Sequence, residues 1–151
     1  MTTFPFTTNF SGYASAIETD GSISIAYDEL YEKAKHPTFI NIKLTWDTGA
    51  VKSMISNKLV QSLGLQPIGM ASNVNTHGIA FVNLYRVNLL LPNKMEIKLL
   101  EVLSDELPDA DMLVGMDVIN LCDFAISHPT GNTKMTLQIP SILDIDFTNA
   151  K

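Results

Sequence analysis

Two short segments hold the residue types that could do chemistry. The first runs Leu44-Thr45-Trp46-Asp47-Thr48-Gly49-Ala50, and the second, well downstream, runs Met112-Leu113-Val114-Gly115-Met116-Asp117. Asp47 offers a carboxylate, a group that takes or gives a proton in general acid–base work. Asp-Thr-Gly also suits a plain turn at a strand end, so the tripeptide by itself fits either use. The remaining candidates are weaker. His36, His77 and His128 lie far apart, in no metal-ligand spacing. Asp109 and Asp111 lack the glycine-containing acidic loop and the terminal Glu of a calcium site. Cys122, in an apolar stretch, reads as a small buried hydrophobe, and Asp117 reads as a helix cap. No metal and no cofactor is expected.

The element that must present Asp47 is the stretch 38–46. Ile40, Ile42, Leu44 and Trp46 share one face of an extended chain and Asn41, Lys43 and Thr45 the other, so a strand here leads directly into Asp47. Residues 22–27 also alternate at period two, and residues 28–35 suit one or two helical turns stopped by His36-Pro37. Ser56 is placed to cap a short helix that runs to Leu63, with Gly64 ending it in the left-handed conformation. Strands at 81–91 and 94–103 are joined at Pro92-Asn93. Residues 112–115 predict a short buried strand ending in glycine, followed by a brief helix to about Leu121 with Asp117 at its cap. Two more strands, 124–126 and 135–139, flank a turn at 129–132. Many short strands, two short helices and no βαβ rhythm predict an all-β architecture, a mostly antiparallel barrel or sandwich. Residues 1–21 read as a loosely held N-terminal arm or an added edge segment, and residues 22–151 as one domain.

Composition narrows the partners. The net charge is −6 and the ten basic residues do not cluster, so the electrostatic footprint of a nucleic-acid binder is missing. No stretch has the length and apolarity of a membrane span or the build of a signal peptide, and Cys122 is the lone cysteine, so a cytoplasmic location is expected.

Taken together, the two segments and their flanks resemble the retropepsin family of aspartic peptidases. The likeness continues through the run Ile55 to Leu65, the run Tyr85 to Asn93, and the stretch from Asp111 to Ile126 with its Gly115-Met116-Asp117-Val118-Ile119. The resemblance implies a closed, mostly antiparallel barrel with a flap hairpin. It implies that Asp47 is the catalytic carboxylate, that Thr48 links two active-site loops through its hydroxyl, and that Gly49 lets the backbone turn close to substrate. Trp46 and Val114 would support the loop, and Gly115 would sit under it where a side chain would push Asp47 out of line. Ala50 would touch substrate, as would the flap residues Thr76, His77, Gly78, Ile79 and Ala80. Ala80 and Phe81 stand where the family commonly has glycine, and Val51 where it often has a polar residue. Since two carboxyl groups sharing a proton can activate a water and a peptide carbonyl together, one Asp-Thr-Gly per chain implies a homodimer acting on peptide or protein substrates. The alternative is a catalytically silent dimeric module of the same fold that binds peptides or serves as a scaffold.

Overall fold

The computed structural model describes residues 1–28 and 37–149. The helical turns expected at 28–35, and His36, fall almost wholly outside the described residues. Ten strands and two short α-helices follow one another among the described residues. They are β1 (Phe4–Asn9), β2 (Glu18–Ile25), β3 (Ile40–Trp46), β4 (Met54–Ser56), α1 (Asn57–Leu63), β5 (Gly69–Asn75), β6 (Gly78–Leu90), β7 (Glu96–Asp105), β8 (Met112–Val114), α2 (Met116–Ile119), β9 (Asp123–Ser127) and β10 (Lys134–Ile139).

Seven strands form one sheet in the order β2-β3-β8-β4-β7-β6-β5, and β2 also pairs with β6, so the pairings from β2 round to β6 return to their start. Two of these contacts, β3–β8 and β4–β7, are parallel and the rest antiparallel. The second sheet is β1-β10-β9. Strand β3 behaves as its alternation dictates. Ile42, Leu44 and Trp46 are buried, in one core with Ile23, Val87, Val102, Met112, Val114 and Val118. Helix α1 is bounded as expected: Ser56 Oγ accepts from Leu59 N at 3.2 Å, and Gly64 ends the helix at φ 62°.

The N-terminal stretch contributes to both sheets. β1 is an edge strand in register with β10, from Phe4 opposite Ile139 to Asn9 opposite Lys134, and β2 begins at Glu18, ahead of the expected Ser22. Pro5 has no N–H to offer, which an edge strand tolerates. Helix α2 differs from expectation at its start. Its cap position is Gly115, not Asp117, and Asp117 lies in the first turn with its carboxylate turned toward Ser53. Two donors on Ser53 satisfy that carboxylate better than a cap would.

Candidate active site

The parallel pairing of β3 with β8 carries the first motif to the second, with Trp46 opposite Val114. One further bond extends it, Asp47 N donating to Val114 O at 2.9 Å. The chain then turns. Ala50 N donates to Asp47 O at 3.2 Å, and Gly49 N donates to Asp47 Oδ1 at 2.9 Å, which fixes the carboxylate over its own loop. A Cβ on Gly49 would stand 3.2 Å from that oxygen. Asp47 is half-buried, while Thr48 and Gly49 are exposed.

Gly115 lies against the far side of the loop. An added Cβ there would be 2.8 Å from Ala50 O and 2.9 Å from the Lys52 carbonyl carbon, and Met116 N donates to Ala50 O at 2.8 Å. Ser53, not anticipated from sequence, locks this contact. Its fully buried hydroxyl accepts from Gly115 N at 3.0 Å and donates to Asp117 Oδ1 at 2.7 Å, while Ser53 N donates to Asp117 Oδ2 at 2.9 Å. The signal available in the sequence was a small polar residue just past Asp-Thr-Gly-Ala together with an acid two places after Gly115.

Trp46, the residue before Asp47, is buried against the rings of Phe6 and Phe124, at centroid distances of 6.2 and 5.7 Å, and its Nε1 donates to Thr19 Oγ1 at 2.9 Å. It therefore joins the smaller sheet to the strand that leads into Asp47.

The β5–β6 hairpin turns at Thr76-His77, with Asn75 opposite Gly78 and Gly78 at φ 120°. Thr76, His77, Gly78, Ile79 and Ala80 are exposed at this tip. They do not line the cleft beside Asp47. That cleft, of about 380 Å³, is bounded by Gly49, Ala50, Val51, Lys52 and Met54 on one side, by residues 71–74 of β5 on the other, and by Leu103 and Leu113. Of the expected substrate contacts, Ala50 lies on it.

Among the described residues no group of three or more His, Cys, Asp and Glu side chains is placed to hold a metal ion. His128 Nδ1 is 3.1 Å from Thr133 Oγ1. Cys122 is buried, and burial, with Asp123 beside it adding repulsion, pushes its thiol up to about 11, away from nucleophilic use. No helix among the described residues is long and apolar enough to cross a membrane.

No family model matches the chain. No curated protein matches it either. Among solved structures the chain is similar to a retropepsin-like aspartic protease from Rickettsia conorii, with 13% sequence identity over 91% of this chain and 96% of that one and a TM-score of 0.53. At that identity the likeness is one of fold, and the all-β, mostly antiparallel fold with two short helices expected from the sequence is retropepsin-like.

Proposed function

We propose that this chain is the subunit of an aspartic endopeptidase, with Asp47 from each of two copies forming one site. The observation that carries the reading is the position of Asp47. A half-buried carboxylate sits on a loop fixed by a backbone bond to Val114 and by the Gly115 contact, and the loop's next residues, Gly49 to Lys52, line an apolar cleft. Similarity of fold to an aspartic protease supports it.

One carboxylate of the pair is ionised and takes a proton from a bound water, whose oxygen attacks the peptide carbonyl carbon. The other carboxyl gives its proton to the carbonyl oxygen, and the tetrahedral intermediate collapses as the amide nitrogen is protonated and the C–N bond breaks. Neither carboxylate alone can serve both ends of the reaction. In the same reading Thr48 ties one loop to its symmetry mate, and the hairpin tip from Thr76 to Ala80 reaches bound peptide by closing over it.

The test is to incubate the purified protein with an unfolded protein from acid to neutral pH and read the products by mass spectrometry. Asp47→Asn should cut cleavage by at least about a hundredfold while the fold persists. Peptide binding by the wild type with no cleavage at any pH would instead select the silent binding module.

A further inference from the structure

Among the described residues, the cleft beside Asp47 carries one charged side chain in its lining, Lys52. Around it stand Val51, Met54, Leu103 and Leu113, all apolar. Lys52 Nζ is 3.7 Å from Glu101 Oε2, close enough for attraction but too long for a hydrogen bond. Glu101 Oε1 instead accepts from Arg86 Nη2 at 3.2 Å. Among the described residues, two cations thus share one carboxylate, which leaves one surplus positive charge at the cleft wall of a chain whose net charge is −6. The Lys52 side chain is 35% exposed, enough to meet a ligand and screened enough for its charge to count. Its backbone is held in place, since Ser53 beside it is bound to Asp117 and Lys52 packs on Gly115.

We propose, resting on the peptidase reading, that Lys52 selects substrates. The cleft takes an aliphatic side chain of an extended peptide, and Lys52 pairs with a carboxylate two residues away from it. The spacing follows from strand geometry, in which side chains at i and i+2 point to the same face. Glu101 opposes the selection by competing for Lys52. A charge-assisted hydrogen bond in a partly screened site should favour Glu over Gln at that position by roughly three- to tenfold in kcat/KM.

The experiment uses the intact protein and a mixture of denatured, reduced proteins, with every cut site identified by mass spectrometry at about pH 6, where substrate carboxylates are ionised. The readout is the ratio of Asp and Glu to Asn and Gln two positions from the aliphatic residue nearest the cut, which does not depend on overall rate. The wild type should show the enrichment and lose part of it in high salt. Lys52→Gln should abolish it, Lys52→Arg should keep it, and Glu101→Gln should increase it. Cutting by the wild type without charge preference, or an unchanged preference in both Lys52→Gln and Glu101→Gln, overturns the role of Lys52 and leaves the peptidase reading standing. No cutting by the wild type across the pH range overturns both.

Discussion

A methyl group on Gly115 would have to share space with the Ala50 carbonyl oxygen and the Lys52 backbone, at 2.8 and 2.9 Å. Neither neighbour can swing aside as a side chain would, so Gly115→Ala must move the loop that bears Asp47. The expected cost is about 1–3 kcal/mol of stability, read by urea unfolding. Peptide cleavage should fall further than the folded fraction does. Wild-type cleavage in this variant would mean that Asp47 tolerates a displaced loop. Asp47, Gly49 and Gly115 could be singled out in the sequence because the two segments that hold them together resemble a known motif pair. Ser53 carries only a faint signal, a small polar residue just past Asp-Thr-Gly-Ala, because its partners Gly115 and Asp117 are 62 and 64 positions away. Asp117 was misread for the same reason. Its local preference is for a helix cap, and only the folded chain brings Ser53 to it.

The strands and helix that position the loop announce themselves through alternation and caps: β3, α1 with Ser56 and Gly64, and the β6–β7 hairpin. β1 is quieter. Only Phe6 and Thr8 in Phe4–Asn9 turn partly inward, so the strand exists through its pairing with β10 and leaves little periodic trace. The segment after β10 is held by a comparably remote device. Asp123 accepts from Gln138 Nε2 at 2.7 Å, Ser141 Oγ at 2.6 Å, and the amides of Ile142 and Leu143 at 3.0 Å each. The Gln138 bond, then those from Ser141 and Ile142, hold its carboxyl down from 3.8 to about 2. A depressed carboxyl contributes stability above its unfolded value and loses it as pH falls through the folded one, so this contribution should fade between about pH 4 and pH 2. Asp123→Asn should lack that pH-dependent component. Its amides at 142–143 should also exchange faster than those of the wild type at neutral pH. Identical thermal-unfolding profiles for the two proteins over this pH window would show that the latch does not matter to stability.

Dimerisation is the central requirement of the proposed chemistry, because the sequence carries one Asp-Thr-Gly. Specific activity should therefore fall on dilution as the dimer dissociates, with sedimentation reporting dimer wherever activity is full. Full activity in a monomeric sample would remove the mechanism. The proposed chemistry also uses one protonated and one ionised carboxyl, so cleavage should fall away on both sides of a pH optimum.

The pairing of β1 with β10 sets a timetable for synthesis. Thr7 and Thr136 share a hydroxyl hydrogen bond at 2.9 Å across 129 positions of chain, and Phe6 on β1 is one of the rings that cover Trp46. A ribosome makes β1 long before its partner exists. Closing a span of that length costs on the order of 4 kcal/mol of chain entropy, which nothing offsets until β10 arrives. Nascent chains arrested before Lys134 emerges should leave β1 open to protease and one side of Trp46 wet. Chains released past Ile139 should shield both, so a strand made early is among the last to find its place.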